Sequence, residues 1–303
     1  MATAPTESVV PPSTLAALVS EAFRRCRDRS AARFIVAQCA GVHPAVLAVE
    51  GSRTVSEDEC VSALSMADRV SGGEPLQYVL GTWGFRSLEL SVDPRVLIPR
   101  PETEEVVGWA LDALAAAGAP PGGGRPLVVD LGTGSGAIAL SLALEAPHPV
   151  EVVATDASAD ALTVAAANVR RAGLDDDNGR KSVVRLRHGD WFAALDSTLA
   201  GKVTLLVSNP PYVADPEWHR LEPVVRSHEP RAALVAGPLG TEALQVVVAG
   251  APPWLAPSGT VVIEMAPHQA PDVRAMAIEA GFTDLSVRTD LAGRPRALMA
   301  RRP

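Results

Sequence analysis

Leu127-Val128-Val129-Asp130-Leu131-Gly132-Thr133-Gly134-Ser135-Gly136 decides the fold. The first five residues are nearly all apolar, the pattern of a strand buried on both faces, and they run straight into a turn with glycine at every second position. Helical spacing follows. Glycines let the chain turn sharply and let a ligand approach the main chain, which any side chain would block. Strand, glycine turn and helix is the order a nucleotide crevice needs. Val152-Val153-Ala154-Thr155-Asp156 repeats the strand pattern and ends in an acid placed to accept both ribose hydroxyls. A nicotinamide cofactor would use the same acid. The glycine spacing leans away from that alternative, because G-x-G-x-x-G would put its last glycine where Ala137 stands. After a third strand, Asp190-Trp191 supplies an acid and an aromatic face where an adenine would lie.

Working outward, apolar runs alternate with helical stretches, which predicts an α/β domain with a mostly parallel sheet covered by helices on both faces. Strands are expected at 127–131, 151–155, 183–187, 204–208, 259–264, 283–288 and 296–300, with helices at 103–117, 136–146, 159–172, 240–250 and 269–280. No helix separates the last two strands, so they should form an antiparallel edge hairpin. Upstream, Leu88, Leu90 and Val92 alternate between Gly84 and Pro94, which marks residues 75–100 as a β-hairpin linker. Residues 13–74 read as a small helical domain. Its first helix carries Leu15, Leu18, Val19, Ala22 and Phe23 behind a Ser13 or Thr14 cap, its second spans 31–40, and its third opens with a Ser56/Glu59 capping box. Residues 1–12 read as a flexible lead-in, and Gly122-Gly123-Gly124 and the stretch from Asp175 to Gly179 as loops.

The 303 residues suffice for one large domain and a small companion, and 47% hydrophobic against 20% charged residues suits a folded core. A formal net charge of −8 supplies no overall positive field for stable nucleic-acid binding. Cys26, Cys39 and Cys60 match no zinc spacing and read as reduced, buried thiols; no metal is expected. Neither a leader segment nor a long apolar run is evident, so the expectation is a soluble, cytoplasmic protein with no membrane association.

The chemistry is written after the fourth strand, where Thr204-Leu205-Leu206-Val207-Ser208 enters Asn209-Pro210-Pro211-Tyr212. Ligands in open α/β sheets bind beyond the carboxyl ends of the strands, so this tetrapeptide faces the crevice of the glycine turn. Two prolines fix φ and remove two amide donors. The Asn209 side-chain oxygen and the Pro210 carbonyl then form a rigid pair of acceptors for the two hydrogens of a planar NH₂ group, with Tyr212 placed to pack against that plane. Amides and exocyclic amines both present such a group. No Ser-His-Asp or zinc arrangement competes, and His228 and His268 read as surface residues.

With these residues in hand, the sequence resembles the PrmC/HemK family of protein-(glutamine-N5) methyltransferases. The resemblance covers residues 75–300. It is carried by Pro75-Leu76-Gln77-Tyr78-Val79-Leu80-Gly81, Val96-Leu97-Ile98-Pro99-Arg100-Pro101-Glu102-Thr103-Glu104, the Gly132–Gly136 turn, Asn209–Tyr212, and Glu229-Pro230-Arg231-Ala232-Ala233-Leu234. It implies a class I, Rossmann-like methyltransferase domain over 101–303. It also implies S-adenosylmethionine as methyl donor, S-adenosylhomocysteine as product, and the Gly-Gly-Gln glutamine of class I peptide chain release factors as substrate. By the same resemblance Gly132, Thr133, Gly134, Ser135, Gly136, Asp156, Trp191 and Asn209 contact the cofactor, Asn209–Tyr212 grip the glutamine, and the N-terminal helices help dock the release factor. The chain departs from the pattern at Val262–Gln269, where the glycine that often follows the acid is missing. Two rival readings share these residues: an adenine-N6 methyltransferase on nucleic acid, and a cofactor-binding partner module without catalysis.

Overall fold

A computed structural model describes residues 12–119, 123–177 and 181–303. Residues 1–11 of the expected lead-in over 1–12, Gly122, and the stretch from 178 to Gly179 lie outside the described residues. The chain divides into two units, the first ending at Gly81 and the second beginning at Thr82.

Among the described residues the first unit holds four α-helices, α1 (Leu15–Cys26), α2 (Arg29–Cys39), α3 (Glu57–Ser71) and the single turn α4 (Leu76–Leu80). Leu15, Leu18, Ala22 and Cys26 recur at helical spacing and form the buried stripe of α1, which packs against both α2 and α3. Thr14 caps α1 by accepting from the Ala17 amide at 3.3 Å. The second helix starts at Arg29, two residues earlier than its apolar pattern indicates, because Asp28 accepts from the Ala31 amide at 2.9 Å. The Ser56/Glu59 capping box is present in both directions. All three cysteines are free thiols.

The second unit opens with an antiparallel hairpin, β1 (Thr82–Phe85) and β2 (Leu88–Ser91), followed by α5 (Pro101–Ala117). Then come β3 (Leu127–Leu131), α6 (Ala137–Glu145), β4 (Glu151–Asp156), α7 (Ala159–Arg171), β5 (Val183–His188) and β6 (Val203–Ser208). A short parallel pair, β7 (Val213–Ala214) and β8 (Val235–Gly237), brackets α8 (Pro223–His228). The unit closes with α9 (Glu242–Gly250), β9 (Leu255–Glu264), α10 (Ala270–Glu279), β10 (Thr283–Thr289) and β11 (Pro295–Arg301). Seven strands form one sheet in the order β10-β11-β9-β6-β3-β4-β5. Strands β9, β6, β3, β4 and β5 are parallel, and β11 runs antiparallel to both its neighbours. The closing hairpin is therefore present, with β10 at the edge and β11 set between it and β9.

Val129, Leu131, Leu206, Ile263 and Leu298 are fully buried in the sheet, which explains why these strands read as continuous apolar runs. Strand order reverses beside β3. Chain crossing to β4 and chain crossing to β6 leave the sheet on opposite sides, opening a crevice at the carboxyl ends of β3, β4 and β6. Among the described residues, no helix is long and apolar enough to cross a membrane.

Candidate active site

The turn after β3 is held by main-chain bonds that only its glycines permit. Gly132, Gly134 and Gly136 take φ of 77°, 55° and 86°. The Gly132 and Thr133 amides both donate to the Thr155 carbonyl, at 2.9 and 2.8 Å, pinning the turn to the end of β4. A Cβ on Gly134 would stand in open space, so the main chain is bare where a ligand would approach. At Gly136 a Cβ would come within 3.3 Å of Leu140 Cδ1, so this glycine serves the packing of α6.

Asp156 ends β4 with both carboxylate oxygens engaged once, Oδ2 by the Gly134 amide and Oδ1 by the Ser158 amide, each at 2.8 Å. A carboxylate offers about four lone-pair sites, so acceptor capacity remains on each oxygen. Trp191 sits at a positive φ of 42°, and its Cζ3 lies 4.0 Å from where a Gly132 Cβ would be. Beneath the turn, fully buried Asp130 accepts from Thr133 Oγ1 at 2.6 Å; burial pushes its carboxyl up to about 7 against the pull of that bond.

These groups face one cavity of about 350 Å³, within the usual size of small-molecule sites. Gly132, Thr133, Gly134 and Ser135 line it together with Asp156 and Trp191. Asn209 and Pro211 line its other side, whereas Gly136, Pro210 and Tyr212 lie outside the lining.

The Asn209–Tyr212 segment is braced from behind. Ser208 Oγ donates to the Leu131 carbonyl at 2.7 Å, joining the ends of β6 and β3. Asn209 Nδ2 donates to Thr103 Oγ1 at 3.2 Å, and Thr103 Oγ1 donates to Glu264 Oε2 at 2.8 Å. Tyr212 turns its ring toward the core beside β9, and its hydroxyl donates to Glu264 Oε1 at 3.4 Å. Burial pushes the Tyr212 phenol well above its ordinary range, and pushes Glu264 up to about 7 against the Thr103 bond and the Arg296 charge. Gln269 Nε2 clamps the segment through the Tyr212 and Gly240 carbonyls, at 3.0 and 2.9 Å.

Residue chemistry alone gives no role to the wall formed by Val96, Leu97, Pro99 and Arg100, although it belongs to a stretch that carries the family resemblance. Buried Glu229 fixes it, accepting from the Ile98 amide at 3.2 Å and pairing with Arg100 Nη2 at 2.5 Å. The adjoining Pro230, Ala232 and Ala233 also line the cavity. His228 and His268 stand outside it. Among the described residues, no group of three or more His, Cys, Asp or Glu is arranged to hold a metal ion.

Comparison with known proteins bears on the same residues. Residues 17–81 match the model of the PrmC N-terminal domain, and residues 122–222 match that of the methyltransferase small domain. A release factor glutamine methyltransferase of Burkholderia pseudomallei is 39% identical over 91% of this chain and 93% of its own. One of Streptomyces coelicolor is 42% identical over 76% of each chain. The hMettl16 catalytic domain, solved in complex with a MAT2A 3′UTR hairpin, shares the fold at a TM-score of 0.53 and 14% identity, covering 82% of this chain and 84% of that one. The sheet order, the glycine turn and identity sustained along nearly the whole chain agree: this chain belongs to the release factor glutamine methyltransferase family.

Proposed function

We propose that the protein transfers a methyl group from S-adenosylmethionine to the side-chain amide nitrogen of the glutamine in the Gly-Gly-Gln motif of class I peptide chain release factors. The observation that carries this reading is the meeting of the bare glycine turn, Asp156 and Asn209 on one cavity at the carboxyl ends of β3, β4 and β6.

The residues present fit the methyl donor. A Cβ on Gly134 would occupy open space beside the cavity, and Asp156 keeps free acceptor capacity for a ribose diol. Trp191 offers a flat apolar face for an adenine beside Gly132. Thr133 and Ser135 complete the turn. When bound, S-adenosylmethionine supplies a sulfonium methyl whose C–S bond breaks as the C–N bond forms, leaving S-adenosylhomocysteine.

An amide nitrogen is a weak nucleophile because its lone pair is delocalised into its carbonyl. Asn209 Oδ1 accepts from one N–H group and the Pro210 carbonyl from the other. Pro210 itself lies outside the lining, but its carbonyl joins the two lining residues Asn209 and Pro211, and the pair of acceptors aims the nitrogen and favours its pyramidal form. Positive charge grows on nitrogen during transfer, so both bonds strengthen in the transition state. The displaced proton then leaves the methylated amide to water. Tyr212 supports this grip from the core side through Glu264. The helical unit ending at Gly81 serves to dock the release factor, and a substrate that acts in translation puts the reaction in the cytoplasm.

The adenine-amine alternative is disfavoured by the net charge of −8 and by the names of the full-length relatives. The direct test offers methyl-labelled S-adenosylmethionine with a purified release factor in one tube and an adenine-bearing RNA hairpin in another. Label in the release factor alone is expected; label in the RNA alone would overturn the reading.

A further inference from the structure

We propose that Thr103 is a positioning residue that sets which end of the Asn209 amide faces the cavity. The inference rests on the reading of Asn209 as the grip on the substrate amide.

A primary amide has nearly the same shape after a half-turn about its last bond, yet one orientation offers an acceptor and the other offers a donor. An Asn209 turned the wrong way would present NH₂ to the NH₂ it must hold. Its orientation therefore needs a chemical determinant other than the substrate itself, on the protein side of the Asn209 amide.

Thr103 supplies one. Its hydroxyl has a single hydrogen, and that hydrogen is committed to Glu264 Oε2 at 2.8 Å. Toward Asn209, 3.2 Å away, Thr103 Oγ1 can then only accept. Nδ2 must face Thr103, and Oδ1 is left for the cavity. Glu264 enforces the direction because as a carboxylate it has no hydrogen to give, and it accepts from Tyr212 at its other oxygen. Thr103 and Glu264 are 4% and 1% exposed, so water does not compete for these bonds. The chain of bonds also polarises the Asn209 amide and strengthens Oδ1 as an acceptor.

Protonation of Glu264 would undo this. A neutral carboxyl can donate to Thr103, which frees the Thr103 hydrogen for Asn209 Oδ1 and turns NH₂ toward the substrate. The titratable and charged groups facing Glu264 are Tyr212 after β6, Arg296 on β11 and Glu102 on α5. Burial pushes Glu264 up to about 7, so the switch falls in an accessible range.

The test compares Thr103→Val, Thr103→Ser, Glu264→Gln and Asn209→Ala with wild type, by steady-state kinetics on a release factor and by calorimetry of S-adenosylmethionine. Thr103→Val keeps the shape and removes the acceptor. Its kcat should fall about 10²-fold, the scale of a misplaced reacting group, while cofactor affinity holds. Thr103→Ser should recover most of that loss. Wild-type kcat should decline as pH falls below about 7, and Glu264→Gln should be low and lack that limb. Wild-type kinetics in Thr103→Val, or in Glu264→Gln at every pH should Thr103→Val not fold, would overturn the inference, provided Asn209→Ala is impaired. An unimpaired Asn209→Ala would instead overturn the reading of the site on which it rests.

Discussion

The main-chain amide of Gly134 donates to Asp156 Oδ2 at 2.8 Å, so the acid at the end of β4 is held in place by the same turn that leaves the cavity open. The carboxylate is oriented before any ligand arrives. Asp156→Ala should weaken S-adenosylmethionine binding by ~1.5–3 kcal/mol, the scale of charge-assisted hydrogen bonds. Calorimetry reads this directly, and unchanged affinity would contradict the ribose assignment.

Asn209→Ala removes the side-chain acceptor and leaves the Pro210 carbonyl. Turnover should fall ~10²–10³-fold, by analogy with loss of one oxyanion-type partner, with cofactor affinity largely intact. Parallel kinetics and calorimetry separate the two effects.

Much of this site was legible because its signals are local. The Leu127–Gly136 strand and turn, Asp156 and Asn209–Tyr212 each announce themselves within a few residues, and the sheet follows from uninterrupted apolar runs. What was not legible depends on partners far along the chain. Thr103 and Glu264 are 161 residues apart, and Ile98 and Glu229 are 131 apart. No spacing rule connects such pairs; only the closed sheet does. The α4 turn, the β7/β8 pair and α8 are too short to show a period. Tyr212 teaches a related lesson. A tyrosine beside two prolines invites a role toward ligand, and only the folded chain shows its hydroxyl bonded to Glu264 in the opposite direction.

Asn168 on α7 was silent in the sequence for the same reason. It is 3% exposed, accepts from the Ser91 amide at 2.8 Å, and donates to the Ser91 and Ser135 carbonyls at 3.1 and 2.9 Å. One side chain thus ties the hairpin to the glycine turn. Asn168→Ala strands these buried groups and should cost about 1–3 kcal/mol in urea unfolding. An unshifted midpoint would show that the tie contributes nothing to stability.

Asp130 and Glu264 also predict how stability depends on pH. Burial raises each from the ordinary carboxyl value to about 7 in the folded protein. Between those limits the folded chain keeps protons that the unfolded chain has released. Their contribution is therefore greatest at the acid end of the window and declines as pH rises through about 7. Asp130→Asn and Glu264→Gln together should flatten the fall in unfolding free energy between about pH 5 and 8. A wild-type slope retained in the double variant would refute this assignment.

The most direct test of the central claim is tandem mass spectrometry of a purified release factor after incubation with this protein and S-adenosylmethionine. One added methyl, on the side-chain amide nitrogen of the Gly-Gly-Gln glutamine and absent with Asn209→Ala, is the predicted result. A methyl on any other residue, or none at all from protein shown to bind the cofactor, would contradict the account.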